Sequence, residues 1–143
     1  MTDLQARLVD GYEPDFDIDY EVGHQGELLV LDLISALREG RVEVKADEMA
    51  GETQRIYVEH ECYRGGQWQP SGIAVTKADV WATVVSRGFV VAVPTDIMRR
   101  VHARAIADGR RGDCRRGSHP TRGALIPFTE FLFRILRETS VAA

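Results

Sequence analysis

Two neighbouring segments in which charged and apolar residues alternate place the strongest constraint on the fold of this chain. The first, at 41–47, reads RVEVKAD, and the second, at 55–62, reads RIYVEHEC. Alternation with a period of two is typical of half-buried β-strands, in which successive side chains point to opposite faces. Because a turn around Gly51 separates the segments, the sequence predicts an antiparallel hairpin with one apolar face and one charged face.

The charged face of the predicted hairpin concentrates acids and one lysine, namely Glu43, Lys45 and Asp47 on the first strand and Glu59 and Glu61 on the second. If Asp47 lies opposite Glu59, then Lys45 lies opposite Glu61, and opposed residues are about 5 Å apart. Two carboxylates at that distance repel each other unless they share a proton or a cation. An oxygen-only pair favours Mg²⁺ or Mn²⁺ over zinc. A solvent-exposed hairpin with a Lys45–Glu61 pair is the alternative interpretation.

A helix is predicted over roughly 21–38, because apolar residues recur there at helical spacing on one stripe: Val30, Leu31, Ile34 and Leu37. Glu27 precedes them on the same stripe, so it is expected at the head of a buried face. An unpaired charge is costly in such a place. A cation shared with Asp47 and Glu59 would satisfy it, and the helix dipole near the N-terminus is the alternative.

The rest of the chain predicts further elements in the order needed for an α/β fold. YRGGQWQPSG is expected to be a loop, and Thr76 to cap one helical turn. Two buried strands meet at Arg87-Gly88, a helix runs from Thr95 or Asp96 to about 107, and ALIPFTEFLFRILRE gives a strand and a final helix. The predicted class is α/β (α+β), a mixed central sheet with helices packed against it.

Length and hydropathy set the expected organisation and location of the protein. A chain of 143 residues predicts a single domain over 1–143, with 1–19 as a loosely ordered N-terminal arm. No apolar run reaches the roughly 18 residues that span a bilayer, and MTDLQARLVDG lacks the layout of a signal peptide. These features predict a cytoplasmic protein with no membrane partner.

The net charge of −4 conceals a strong polarity along the chain. Residues 1–36 hold nine acids and one arginine, whereas residues 98–122 hold eight arginines and two acids. The glycine-rich segment 109–122 is therefore predicted to be a basic loop that binds DNA phosphates. Its candidate contacts are Arg110, Arg111, Arg115, Arg116, His119 and Arg122. The alternative is a solvated loop that is disordered when free.

Several segments together resemble a known family. A helix with an acid, then an Asp, then a strand with Glu-x-Lys, resembles the core of the PD-(D/E)XK nuclease superfamily, which includes restriction endonucleases and Holliday-junction resolvases. GHQGE, VEVKADEMAGETQRIYVEHEC, PSGIAVTKADVW and GALIP are similar to a family of small phage and prophage proteins of that superfamily. The similarity covers about residues 17–130.

The resemblance implies a restriction-endonuclease-like fold and Mg²⁺- or Mn²⁺-dependent hydrolysis of DNA, with preference for branched or structured DNA. It implies Glu27, Asp47 and Glu59 as metal ligands, Lys45 as the catalytic lysine, and Glu43 and Glu61 as supporting acids. This sequence departs from the pattern at Glu61, which occupies the usual lysine position. A second alignment takes Glu43-Val44-Lys45 as the Glu-x-Lys element, and it also uses Lys45.

Two other functions stay open at this point. The first is a non-catalytic DNA- or protein-binding module on the same fold, which the departure at Glu61 favours. The second is a small interaction protein whose acidic residues mimic DNA. By analogy with nucleases that cut two strands, the chain is also expected to form a homodimer.

Overall fold

The computed structural model describes residues 14–142, and it describes side chains over 20–140. Residues 1–13 of the predicted N-terminal arm lie outside the described part. The chain divides into two compact units, Met1–Arg38 and Glu39–Ala143. The single-domain organisation stays a prediction, because two compact units can belong to one domain.

The described part of the first unit is one long helix, α1 (Pro14–Arg38). It begins seven residues before the predicted start at 21, and a proline is well tolerated in a first helical turn. The expectation of a buried apolar stripe was wrong. Val30, Leu31, Ile34 and Leu37 are between 47% and 60% exposed, because within the described residues of this unit no second element covers them.

The second unit contains seven strands, two α-helices of at least 13 residues and two short helical segments. The strands are β1 (Val42–Ala46), β2 (Arg55–Arg64), β3 (Gln67–Pro70), β4 (Val80–Ser86), β5 (Phe89–Pro94), β6 (Arg111–Cys114) and β7 (Thr121–Pro127). The helices are α2 (Ala50–Thr53), a 3₁₀ turn (Gly72–Ala74), α3 (Thr95–Ala107) and α4 (Phe128–Ala142). The predicted α+β class is confirmed.

The strands form two sheets instead of the one sheet that was predicted. Sheet A has the order β1-β4-β5, with β1 parallel to β4 and β4 antiparallel to β5. Sheet B is antiparallel throughout and has the order β3-β2-β7-β6. The predicted pairing of 41–47 with 55–62 was therefore wrong, since β1 and β2 belong to different sheets.

The composition of β4 explains why β1 pairs there. VWATVVS is apolar on both faces and along most of its length, and such a strand is stable only when it is covered and flanked on both sides. β1 supplies one flank, with Val42 opposite Val80 and Ala46 opposite Val84. The ladder continues past the strand end, since the Asp47 N–H donates to the Val84 carbonyl at 3.1 Å.

Sheet B contains two strands that the sequence predicted as loop. Gly65 and Gly66 both have positive φ, so they close a tight turn that folds YRGGQWQP back as β3, with Trp68 opposite Tyr63. In the arginine-rich segment, β6 pairs with β7. The prediction of a basic loop over 109–122 was wrong at its two ends, because Arg111–Cys114 and Thr121 onward are strands. Neither strand is buried, so neither has the apolar alternation by which a strand is predicted from sequence.

The core lies between the sheets and helices α3 and α4. Its fully buried large side chains include Ile56 and Val58 of β2, Trp81 of β4, Met98 of α3 and Phe131 of α4. The predicted strands meeting at Arg87-Gly88 and the predicted helix from Thr95 to about 107 are confirmed as β4, β5 and α3. The helical turn expected to begin at Thr76 was wrong, since Gly72–Ala74 forms the turn instead.

One buried acid ties the two long helices of this unit together. Glu138 of α4 is 2% exposed, and its carboxylate lies 3.3 Å from Arg100 Nε and 2.6 Å from Arg104 Nε of α3. Since both guanidinium groups reach it, the buried charge is compensated.

No helix among residues 14–142 is long and apolar enough to cross a membrane.

Candidate functional site

A β-bulge in β2 separates the two acids that the sequence placed on one face. Glu59 is in register with Gly123 of β7, and Glu61 is in register with Arg122, so β2 contains one extra residue between them. A bulge redirects side chains locally. Glu59 consequently contacts Ser71, whereas Glu61 lies 3.8 Å from the Arg122 guanidinium. The expected Lys45–Glu61 and Asp47–Glu59 cross-strand pairs were wrong.

Asp47 nevertheless connects β1 to β2. Its Oδ2 accepts the backbone N–H of Tyr57 at 3.0 Å, and its Oδ1 accepts the N–H of Met49 at 3.1 Å. Tyr57 is two residues before Glu59 on β2. The carboxylate of Asp47 therefore lies beside β2, the strand that carries Glu59, although β1 and β2 do not form a ladder.

Tyr57 adds a neutral hydroxyl to this region. Burial raises the pKa of the Tyr57 hydroxyl to about 12, and the hydroxyl lies 2.8 Å from Thr121 Oγ1. The group is thus a hydrogen-bonding phenol at neutral pH, with no charge of its own.

Glu59 is held by the chain that follows β3. Ser71 Oγ donates to Glu59 Oε1 at 2.6 Å, which is short and typical of a hydroxyl bound to a carboxylate. The next residue, Gly72, has φ +51°, and a Cβ atom there would lie 2.4 Å from the Glu59 carbonyl oxygen. Only glycine allows this approach of the two backbones.

Glu43 and Lys45 form an ion pair on one face of β1. Lys45 Nζ lies 2.6 Å from Glu43 Oε1, and the side chains are 44% and 35% exposed. The ammonium also lies 5.7 Å from the centre of the Trp81 ring. Thr76 Oγ1 lies 3.5 Å from the second Glu43 oxygen, at the limit of a hydrogen bond. Segment 71–76 therefore contacts both Glu59 and Glu43.

Four of the predicted site residues are linked by contacts within the second unit, through β2 and segment 71–76: Glu43, Lys45, Asp47 and Glu59. Glu61 is directed toward Arg122 instead. Glu27 belongs to the first unit, where its carboxylate is 79% exposed and lies 3.9 Å from His24 Nδ1. Its expected burial was wrong, and its role as a ligand stays a prediction.

The donor chemistry of Asp47 and Glu59 fits a hard divalent cation. Both offer carboxylate oxygen, each Asp47 oxygen uses one lone pair on a backbone N–H, and Glu59 Oε1 accepts the Ser71 hydroxyl. Across the described residues, no three His, Cys, Asp or Glu side chains converge on one point. Mg²⁺ commonly binds through one or two carboxylates, with water and substrate phosphate completing the shell. A pair of carboxylates therefore lies within the ligand number that Mg²⁺ uses.

A cavity of about 320 Å³ opens beside Asp47 at the carboxyl ends of parallel strands β1 and β4. Its polar lining is Asp47, Glu48, Ser86 and Arg87. Ligands of open α/β sheets bind outside the carboxyl ends of parallel strands. The cavity accordingly provides room and one guanidinium for an anionic group next to Asp47.

The predicted DNA-binding residues fall into two groups. Arg110 lies 2.9 Å from Glu130, Arg122 lies 3.8 Å above the Trp68 ring and near Glu61, and Arg116 contacts Met49 Sδ. In the described part of the chain, Arg111, Arg115 and His119 are exposed and have no ion pair. The two arginines of the second group leave their charge available to a polyanion.

Sequence reasoning missed the residues that support the site. Ser71 holds Glu59, and Arg99 of α3 donates to the carbonyls of Ile73 and Thr76 at 3.3 and 2.6 Å. The PSG triplet signals a turn but does not reveal which residue that turn approaches. His60 is the extra residue of the bulge. Its Nδ1 lies 2.8 Å from Nε2 of His102, which is 42 positions away in the sequence.

The chain matches no protein-family model, no curated protein and no solved structure.

Proposed function

We propose that this protein is a metal-dependent DNA endonuclease of the PD-(D/E)XK type that hydrolyses phosphodiester bonds. The observation that carries the proposal is the hydrogen bond from the Tyr57 N–H to Asp47 Oδ2 at 3.0 Å. It attaches Asp47, at the end of β1, to the strand that carries Glu59, and segment 71–76 contacts both Glu59 and Glu43. Two acids and a lysine are what a metal-assisted phosphodiesterase requires.

Asp47 and Glu59 would hold the Mg²⁺ or Mn²⁺ ion. When bound, the ion supplies Lewis-acid polarisation of the scissile phosphate and lowers the pKa of a bound water. Water adds to phosphorus, the bond from phosphorus to the leaving sugar oxygen breaks, and the proton released by the water ends on that oxygen or in solvent.

Lys45 would stabilise the negative charge that develops on the phosphate oxygens, because a fixed ammonium in a partly desolvated site interacts strongly with charge. Glu43 orients that ammonium through the 2.6 Å ion pair. The stacking distance of 5.7 Å to Trp81 limits its freedom further.

The DNA backbone would be bound by the β6–β7 hairpin. Arg111, Arg115 and His119 are exposed and unpaired among the described residues, so they attract phosphates at little desolvation cost. The described residues 111–127, which form this hairpin, contain no helix that could read base edges. Phosphate contacts carry no sequence information. We therefore propose preference for DNA shape, such as branched or structured DNA.

The test is cleavage of plasmid, forked and four-way DNA in Mg²⁺ or Mn²⁺ by the wild type and by Lys45→Ala and Glu59→Gln. We expect metal-dependent cleavage that falls at least about 100-fold in both variants. Glu52→Gln, an exposed acid on α2, is the matched control and should keep wild-type activity. Cleavage that persists in EDTA, or no cleavage of any substrate, contradicts the proposal.

A second candidate function is DNA binding without hydrolysis. Two observations favour it: Glu61 occupies the usual lysine position, and Lys45 is already neutralised by Glu43. This candidate requires retention on DNA at low salt and no product with any metal. The same substrates, run in a gel-shift assay, distinguish it from the nuclease.

The remaining proposals concern context. A homodimer would supply two sites for cutting two strands, and sedimentation equilibrium measures it directly. We also propose, on the family resemblance alone, a cytoplasmic location in a bacterial host and a phage or prophage origin.

A further inference from the structure

Segment 71–76 approaches β2 so closely that a Cβ atom at position 72 would clash with the backbone of β2. The Ser71 N–H donates to the His60 carbonyl at 2.9 Å, and the following glycine lies against the Glu59 carbonyl. This contact fixes the backbone of the segment against the bulge of β2. The position of Ser71 relative to Glu59 is therefore determined by main-chain bonds and not by a mobile loop.

A guanidinium holds the other side of the same segment. Arg99 reaches from α3 and donates to the carbonyls of Ile73 and Thr76. The two anchors, β2 on one side and α3 on the other, leave the segment little freedom. A side chain on it can thus orient a neighbouring group with precision.

The hydroxyl of Ser71 engages one specific oxygen of Glu59. Oγ donates to Oε1 at 2.6 Å, and Oε2 receives no protein hydrogen bond among the described residues. One oxygen of the carboxylate is therefore occupied, and rotation of the carboxylate would break this bond. Metal-binding carboxylates are typically hydrogen-bonded in this way, and loss of the partner costs 10- to 100-fold in metal affinity or activity.

We propose that Ser71 is a positioning residue that fixes Glu59 through Oε1 and directs Oε2 to the metal. Glu59 then binds the ion through one oxygen only. The inference rests on the proposed function, because it assumes that Glu59 is a ligand. It adds a residue that neither the alternating pattern nor the family resemblance assigns.

The test measures Mn²⁺ binding by isothermal titration calorimetry together with kcat and KM for DNA cleavage. For Ser71→Ala we expect the Mn²⁺ dissociation constant to rise about 10-fold and kcat at limiting metal to fall about 10-fold. KM for DNA should stay within about twofold, because Ser71 does not contact the phosphates. Ser71→Thr keeps the hydroxyl in an extended backbone and should restore metal affinity to within about threefold of wild type.

Ser140→Ala is the matched control, since its hydroxyl bonds only a carbonyl of its own helix, that of Leu136. It should leave metal affinity and turnover unchanged. Thermal unfolding of each variant separates positioning from folding: a purely structural role predicts a metal defect that follows the loss of stability and that Ser71→Thr does not rescue.

Two failures are distinguishable. If the wild type neither binds Mn²⁺ nor cleaves DNA, the proposed function itself is wrong. If the wild type does both and Ser71→Ala matches it, or if Ser71→Thr is as defective as Ser71→Ala, only the role of Ser71 is wrong.

Discussion

Strands β1 and β2 have nearly the same alternating pattern, yet they belong to different sheets. β1 lies at the edge of sheet A, parallel to β4. β2 lies inside sheet B, between β3 and β7, and contains a bulge. Alternation therefore determines which face each side chain takes, whereas the strand partner depends on the rest of the chain.

The bulge is the feature that gives the acids of the two strands different contacts. On the regular β1, Glu43 and Lys45 stay on one face and pair with each other. On the bulged β2, Glu59 and Glu61 acquire different partners, a serine hydroxyl and a guanidinium. One irregular residue thus assigns one acid to the proposed metal site and the other to the arginine group.

The largest expected effect is a difference in stability between alanine variants of two glycines, Gly72 beside sheet B and Gly88 in a turn of sheet A. Gly72→Ala should lower the free energy of unfolding by about 3–5 kcal/mol, because the new Cβ would clash with Glu59 backbone in addition to straining φ. Gly88→Ala, in the β4–β5 turn, has φ +83° and open space around it. It should cost only the strain of about 1–2 kcal/mol. Urea unfolding of both variants measures the difference, and equal losses would contradict the close approach at Gly72.

The next effect concerns the bond between the two sheets. Asp47→Ala leaves the N–H groups of Tyr57 and Met49 without their acceptor and should cost about 2–3 kcal/mol. Glu59→Ala removes an acid whose protein partner is one hydroxyl, so it should cost about 1 kcal/mol or less. Chemical denaturation tests this order. A smaller loss for Asp47→Ala than for Glu59→Ala would show that Asp47 does not join the sheets.

A smaller effect is the pH dependence of the contact between sheet B and α3. Burial, with the nearby His60, lowers the pKa of His102 to about 4 from its ordinary value near 6.5. The unfolded chain therefore binds a proton more readily, and stability is lost as pH falls from about 6.5 to 4. Allowing for solvent screening, we expect a loss on the order of 1 kcal/mol. His102→Gln should flatten the pH profile of urea unfolding between these values; an unchanged slope would contradict the assignment.

The smallest expected effect separates the two groups of arginines on sheet B. Arg111→Ala should reduce the slope of log K against log salt for DNA binding by about 0.9, since its charge is free for a phosphate. Arg110→Ala should change that slope much less, because Arg110 is engaged by Glu130 at 2.9 Å. Fluorescence anisotropy over a range of salt concentrations measures both slopes. Equal slopes for the two variants would contradict the distinction.

The sequence predicts the elements of this fold better than their connections. Each long apolar or alternating segment forms the predicted element, because periodicity is a local property. The single helical turn predicted to begin at Thr76 does not form there. β3 and β6 were missed, since a short exposed strand such as QWQP has no apolar signal. The pairing of β1 with β4 was missed because both parallel and antiparallel neighbours satisfy the same alternation.

The candidate site was predictable only in its residue types. Lys45, Asp47 and Glu59 were predicted from charge on alternating positions, and their roles stay predictions. The structure connects the end of β1 to β2 through a side-chain bond from Asp47 to Tyr57 instead of a ladder. Ser71 and Arg99 could not be identified, because their roles depend on the approach of segments distant in sequence. The bulge at His60 has no sequence signal of its own.

The central claim is that Asp47 and Glu59 hold a divalent cation beside Lys45. Anomalous diffraction from crystals soaked in Mn²⁺ tests it most directly. We expect one strong anomalous peak within about 2.3 Å of Glu59 Oε2 and of an Asp47 carboxylate oxygen. A peak at any other position, or none at these carboxylates in crystals of protein that cleaves DNA with Mn²⁺, would contradict it.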